Sequence, residues 1–336
     1  TGEPITSAQA VRNAVEAGEL AEQVGLDFFG VGEHHRADMP LPNPVVVLTA
    51  IAARTTRIRL GSAITVLAPD DPVRLFEQFA TLDAISRGRA EIVVGRGAAV
   101  EPFELFGVDM RDYDDQFAEN LDLLQRIAAS ESVTWSGRFR PPLHEARIVP
   151  RPDRPIPVWV GTGGKPGSVV RAAQHHARLF LSDIGADPAR FAPLIELYHA
   201  AATDVGMPPE AQKVAFAQIG LVNDEFDDVA EYWWPHWNAR WHAVTGHEAS
   251  RDLFNHQTRP AGSFMAGNPE EIAARIIAQH ESAPHDLHTI KVSGAVPHDV
   301  LLRHIELLGT RVKPLVDAEL SPPAIPGGSN AVTAAQ

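Results

Sequence analysis

Residues 25-44 read GLDFFGVGEHHRADMPLPNP, an apolar run that ends in Glu33, His34 and His35 and then breaks on Pro40, Pro42 and Pro44. In an extended run side chains alternate between faces, so Phe28, Gly30, Gly32 and His34 share one side, and Phe29, Val31, Glu33 and His35 the other. The second set has the bulk to pack against helices. The first leads through two glycines, which leave space, to an imidazole pointing into that space. His34 is therefore the candidate for proton chemistry, with Glu33 and His35 orienting it or closing a rim. A histidine pair capping a strand at the surface is the competing reading. The fifteen histidines could also furnish zinc ligands. Yet EHH is not HExxH, and His175 and His176, adjacent in a helical segment, would point about 100° apart. A metal site is only weakly signalled, and none is assigned.

Two glycine-rich turns could hold an anion. GRGAAVEPFELFG (95-107) follows an apolar run and flanks Arg96 with glycines, so the backbone can approach a ligand while the guanidinium forks onto a phosphate. VWVGTGGKPGSVVRAA (158-173) reads strand, glycine loop, helix, and the unpaired amides of a helix start favour an anion. Neither is a Walker sequence or a dinucleotide fingerprint, and either loop alone reads as a tight strand-to-helix turn. Arg96 and the 161-168 loop together suggest a phosphate-bearing cofactor of mononucleotide size.

These residues need a scaffold that gathers several strand ends in one place. Runs such as LDFFGVGEHH, RIRLGSAITVL, AEIVVGRG, PVWVGTGG, RLFLSDIG, VAFAQIGLVND and LHTIKVSGAV alternate with helical segments at 8-24, 72-87, 113-129, 188-205 and 269-281. That alternation describes a parallel sheet covered by helices. Candidate residues follow strand after strand rather than one switch point. This favours an α/β fold of the eight-fold TIM-barrel type, with insertions, over a doubly wound sheet. Seven strands are visible, so the first barrel strand is expected upstream of this numbering or lost from the chain. Residues 131-157 (a hairpin and a proline-rich connection) and 231-267 read as insertions in one domain of residues 1-317, followed by a mobile tail at 318-336. Trp233, Trp234, Trp237 and Trp241 fall at helical spacing around Pro235. Packing on the barrel or on a second subunit is favoured over an aromatic wall of a substrate pocket.

Composition narrows the partners. The net charge of -14 and the scattered 29 Lys and Arg lack the footprint of a nucleic-acid binder. VVVLTAIAA (45-53) is about half of a membrane span, and the first residues lack the pattern of a signal peptide, so a soluble, cytoplasmic protein is expected. Without cysteine there are no disulfides, thiolate metal sites or thiol nucleophiles.

The order of motifs resembles the luciferase-like flavin monooxygenases. GLDFFGVGEHH, RIRLGSAITVLAPDDPVRLFEQFATLDAISRGRAEIVVGRG, FELFGVDM, AGNPEEIAARI and IELLGTRVKPLV carry the resemblance over nearly all of residues 10-317, most specifically at 25-113. It implies a dimeric TIM barrel that binds FMN at the C-terminal ends of its strands. The active-site histidine falls on His34. The flavin-supporting strand end, often a non-proline cis peptide, falls on Ala63 and Ile64. The phosphate-contacting arginine falls on Arg96, and a second phosphate contact maps with a one-residue shift to Thr162, Gly163 and Gly164. Gly95 stands where luciferase carries a reactive cysteine, and the long aldehyde pocket cannot be traced, so light emission is not implied. The leading expectation is a two-component monooxygenase that takes reduced FMN from a flavin reductase and uses oxygen on a small organic substrate. The alternatives are a deazaflavin-dependent hydride-transfer enzyme, for whose long anionic tail this acidic chain shows no basic groove, and a flavin-binding protein without turnover.

Overall fold

A computed structural model of the chain describes residues 5–97, 101–183 and 188–320. The strands that run parallel are β1 Phe28–Val31, β2 Arg59–Ser62 with its short continuation Thr65–Val66, β3 Ala90–Gly95, β4 Val158–Thr162, β5 Arg178–Asp183, β6 Val214–Val222, β7 Met265–Gly267 and β8 Leu287–Lys291. They pair in the order β1-β2-β3-β4-β5-β6, and the long β6 takes two partners. Its lower part pairs with β8 (Ala215 opposite Leu287 through Ile219 opposite Lys291), and its end pairs with β7 (Gly220 opposite Met265). The sheet curls so far that Lys291 of β8 touches His34, just past β1, at 3.3 Å, although these two edge strands are not paired among the described residues. This is the curled α/β sheet of a TIM barrel.

Several helices open at a strand's C-terminal end with a local start signal. Asn43-Pro44, Asp71-Pro72 and Asn268-Pro269 each set a side-chain cap ahead of a proline whose fixed φ suits the first helical position. The helices Pro44–Ala52, Pro72–Ser86 and Pro269–Ser282 come next. They bury one face on the outside of the sheet, where Leu48, Ile51, Phe76, Phe79, Leu82 and Ile92 are fully or almost fully buried. Each such side chain contributes roughly 1.5–3 kcal/mol. Inside the barrel a smaller cluster of Val93, Trp159, Phe180 and Ala215 fills the lower half.

A strand falls within each of the seven expected runs, though those in 26-35 and 287-296 stop early, at Val31 and Lys291, and the helices at 72-87, 113-129 and 269-281 lie within a residue of their expected bounds. The hairpin of 131-157 is present as Val133–Trp135 and Leu143–Ala146, packed on the Tyr113–Ala129 helix. The end of the 231-267 segment is β7, only three residues long and too short for its period to show. The Trp-rich helix is continuous from Val229 to Thr245 with Pro235 inside it, capped by Asp228. After Val312 the chain forms another helix, Lys313–Leu320, which takes in residues 318–320; the rest of the expected tail, 321–336, lies outside the described residues. Of the four tryptophans, Trp233 and Trp237 are buried against Phe254 and Phe264, and the Trp233 indole donates to the Ser293 carbonyl (2.6 Å), so the cluster packs its helix onto the strand ends.

Candidate active site

The lower half of the barrel is closed by a plug. Glu91 accepts from Arg59 and from the Trp159 indole, each at 2.8 Å, and the Arg178 guanidinium lies 5.2 Å over the Trp159 ring. Ligand access is therefore from the C-terminal strand ends.

There β2 leaves its ladder. It runs from Gly61 to Thr65 while β3 advances only from Glu91 to Val94, so one extra residue is pushed out as a bulge. The Ala63–Ile64 peptide bond within it is cis. The Ser62 hydroxyl repairs the broken ladder by donating to the Val93 carbonyl (2.8 Å) and accepting from its amide (3.1 Å). Four glycines make room for the bulge. A Cβ at Gly30 would come 2.8 Å from Ala63 Cβ, at Gly32 3.1 Å from the Ala63 carbonyl, at Gly95 2.1 Å from Ile64 Cδ1 and at Gly161 3.1 Å from Ile64 Cγ2. The result is an apolar shelf in which Ile64 lies across Gly95 and Gly161.

Glu33 holds the shelf from behind. Its amide donates to the Ile64 carbonyl (3.1 Å), and its carboxylate accepts from the Val66 amide and from His35, both at 2.9 Å. His35 also meets Phe106 edge-on. A cavity of about 180 Å³ lies beside this pair, and burial there, with Glu33 and Asp71 close by, raises the Asp70 carboxyl to about 6. His34 faces the other way. The strand of GLDFFGVGEHH stops at Val31 and His34 opens a separate hairpin, His34–Arg36 with Met39–Leu41, yet the imidazole enters the barrel mouth. Because an ammonium only donates, the Lys291 contact makes His34 Nε2 the acceptor and puts the ring proton on Nδ1. Burial first, then Lys291 and Arg240, lower the His34 pKa to about 3. Lys291 is exposed, but to a mouth ringed by protein, and that enclosure together with Arg240 lowers it to about 8.

The phosphate candidates gather one residue beyond the shelf. Arg96 binds Asp114 (2.5 Å) and lies 5.7 Å over the Tyr113 ring. The Arg96 hydrogen bond first, then the charges of Arg96, Arg171 and Lys165, hold the Asp114 carboxyl below its usual range. Arg171 Nη1 is buried without a hydrogen-bond partner among the described residues. Thr162 is buried at the end of β4, its hydroxyl accepting from the Gly164 amide (3.3 Å); Gly164 has φ +93°, and the Gly163 carbonyl is held by Arg190 (2.8 Å). Arg96 and the 162–164 turn stand at the ends of neighbouring strands, as β3 and β4 pair up to Val94 and Val160. His175 and His176 close the Pro166–Gln174 helix, His176 with φ +52°, and belong to no site. Among the described residues no cluster of three His, Asp or Glu side chains is arranged to hold a metal.

Lys291 and Arg240 were missed from the sequence. Lys291 had a signal: in LHTIK it shares parity with Leu287 and Thr289, a lone charge on an inward face. Arg240 had none, since it reaches the mouth from the Val229–Thr245 helix, whose placement no strand register fixes. Another cavity, of about 860 Å³, lies elsewhere, between the Pro269–Ser282 helix and residues 226–230 and 258–261. It contains neither His34 nor the shelf, so the chemistry is assigned to the barrel mouth.

The barrel mouth thus brings together an apolar shelf at Ala63 and Ile64, the His34 imidazole and, at the neighbouring strand end, the Arg96 guanidinium. The chain matches the sequence profile of the luciferase-like monooxygenases over residues 1–286 and belongs to that family. Its fold is similar to that of the monooxygenase RslO1 from Streptomyces bottropensis (TM-score 0.81, 24% identity, 92% of this chain and 94% of that one). It is also similar to the oxygenating constituent of 3,6-diketocamphane monooxygenase from Pseudomonas putida in complex with FMN (TM-score 0.72, 18% identity, 94% and 96%). An F420-dependent glucose-6-phosphate dehydrogenase from Amycolatopsis mediterranei is 31% identical over 163 residues, 46% of this chain and 48% of that relative, so this alignment spans about half of each. The protein is thus an oxidoreductase of a family whose members use either a flavin or the deazaflavin F420. No helix among the described residues is long and apolar enough to cross a membrane.

Proposed function

We propose that the protein is an FMN-dependent monooxygenase that receives reduced FMN from a separate flavin reductase and uses oxygen on a small organic substrate. The observation that carries this reading is the charge pattern next to the shelf. Arg96 is held at Asp114 at the strand end beside the shelf, and Arg171 has a buried Nη1 without a hydrogen-bond partner among the described residues; together they offer donors suited to one phosphate.

When bound, reduced FMN would supply the electrons for oxygen chemistry, and the protein the positioning and the proton handling. The Ala63–Ile64 shelf would support the ring system, with Glu33 fixing its height. Arg96, Arg171 and the amides of Gly163 and Gly164 would hold the phosphate. His34, neutral at physiological pH, would carry the proton exchanged with the substrate, its Nδ1–H available to donate and its Nε2 to accept once Lys291 turns away. Fluorescence titration tests the cofactor: FMN should bind about tenfold or more tightly than riboflavin, and Arg96→Ala should remove the difference. Equal affinities in the unaltered protein, or tighter binding of F420 than of FMN, would reject the reading. Oxygen uptake dependent on an added NADH:flavin reductase separates turnover from mere flavin storage.

A further inference from the structure

The cations around His34 exceed the anions available to them. Arg36 takes both oxygens of Asp38, at 2.8 and 3.3 Å, and also binds Glu101 at 2.9 Å. Arg240, from the facing helix, reaches among the described residues only the already engaged Asp38, at 3.6 Å, and the Met39 sulfur. Lys291 has no carboxylate partner among the described residues; its one hydrogen bond is to His34 Nε2 at 3.3 Å. Three cations thus face two carboxylates, and the surplus sits on the two side chains that flank the imidazole. It does so inside the mouth of a chain whose net charge is -14. A surplus cation in a low-dielectric cleft, against the sign of the whole molecule, focuses the field for one anion. Lys291 keeps two N–H donors for such a group, and Arg240 keeps the fork that matches a carboxylate.

We infer that Lys291 and Arg240 form an anion subsite beside His34, and that the substrate carries a carboxylate or a comparable oxyanion next to the carbon that reacts. The inference rests on the monooxygenase reading for the word substrate, but not for the site. An anion on Lys291 would release the lysine from His34 Nε2 and offset the two charges that depress the imidazole. Burial, the larger cause of the low His34 pKa, would remain, so the anion's main effect on His34 would be to free the Nε2 lone pair. The same pair of cations could instead serve the anionic ring of a reduced flavin, and the two sources predict different results.

Calorimetric titration of the flavin-free full-length protein with benzoate and with its neutral isostere benzamide separates them. The expected result is benzoate binding about tenfold or more tightly than benzamide, since a charge-assisted hydrogen bond is lost with the amide. The preference should vanish in Lys291→Met, fall in Arg240→Gln and persist in Lys291→Arg, while benzamide affinity stays level and FMN affinity changes less than about twofold. Equal binding of the two probes, no measurable binding of benzoate, or a benzoate preference undiminished in Lys291→Met would overturn the subsite. So would a benzoate preference that survives in Lys291→Met while the potential of bound FMN shifts to more negative values, because the cations would then serve the reduced cofactor. No flavin is needed for the titration, so failure of the FMN assignment leaves its outcome readable.

Discussion

His34 and His35 are neighbours in sequence with opposite surroundings: one meets Lys291 in the barrel mouth, the other braces Glu33 behind the shelf. His34→Ala should lower turnover by about a hundredfold or more, the range for a lost proton-transfer group, with little change in thermal midpoint or FMN affinity. His35→Ala should act through Glu33, weakening FMN binding and the thermal midpoint more than turnover; the reverse ranking would show that the two roles are exchanged. Other histidines serve the fold. His285 stacks on Phe216 at 4.2 Å and contacts His288 Nδ1 at 3.1 Å, while His304 Nδ1 accepts from the Val222 amide at 2.9 Å. Burial lowers His285 and His304 to about 4 and His288 well below its usual value. All three are neutral in the folded protein but protonate near pH 6.5 when unfolded, so their stabilising effect is complete above about pH 6.5 and is lost as the pH falls toward 4. Denaturant melts between about pH 7 and pH 5 should show the unfolding free energy dropping by up to about 1.4 kcal/mol per pH unit for each histidine. A flat profile would mean that the three are solvated.

The Ala63–Ile64 bulge unites four glycines that look unrelated along the chain. Gly30 and Gly32 close an apolar strand, Gly95 precedes Arg96, and Gly161 opens a glycine loop, yet each clears space for the same two residues. At Gly95 the clashing atom is the far end of the Ile64 side chain, which can swing aside. Gly95→Ala is therefore expected to shift the thermal midpoint only slightly but to weaken FMN binding by about tenfold, because the displaced Ile64 no longer lies flat under a ring. A thermal midpoint lowered by many degrees with FMN affinity intact would mean that the glycine is needed for folding rather than for the shelf. The strands themselves were legible because each is an apolar run with glycine or polar punctuation, and helix starts such as Asn43-Pro44 are local signals. β7 was not legible, being three residues whose pairing depends on the far end of β6. The parity of residues 28 to 35 placed His34 on the inward side even though the strand stops at Val31, since the hairpin after Glu33 keeps the alternation. Parity could not reveal that Arg240 and Lys291 converge on it, for they lie fifty-one residues apart in sequence and meet only through tertiary packing.

At the scale of the whole molecule the question left by the sequence is what covers the Pro44–Ala52 helix, apolar on nearly every side. Its inner face, with Val45, Val47, Leu48, Ile51 and Ala52, is buried between the sheet and the helices Ser7–Gln23 and Pro72–Ser86. Its outer face is not: Val46 is 64% exposed, Ala50 is half-buried and Ala53 is exposed. The hairpin within residues 131-157 does not cover it, since that hairpin packs on the Tyr113–Ala129 helix. A helix stripe of this kind, set among small residues that let backbones approach, fits a second copy of itself across a two-fold axis, since an isologous contact presents the same patch from both sides. The protein is therefore expected to be a dimer at micromolar concentration, with Val46 near the axis. Light scattering should give about twice the 36.4 kDa chain mass, and Val46→Arg should halve it. Because Val46 is exposed within one chain, the arginine should leave the monomer's own stability within about 0.5 kcal/mol, apart from any contribution of the interface. A monomer mass for the unaltered protein would rule the dimer out, and a Val46→Arg protein that stays dimeric would move its interface to another face of the barrel.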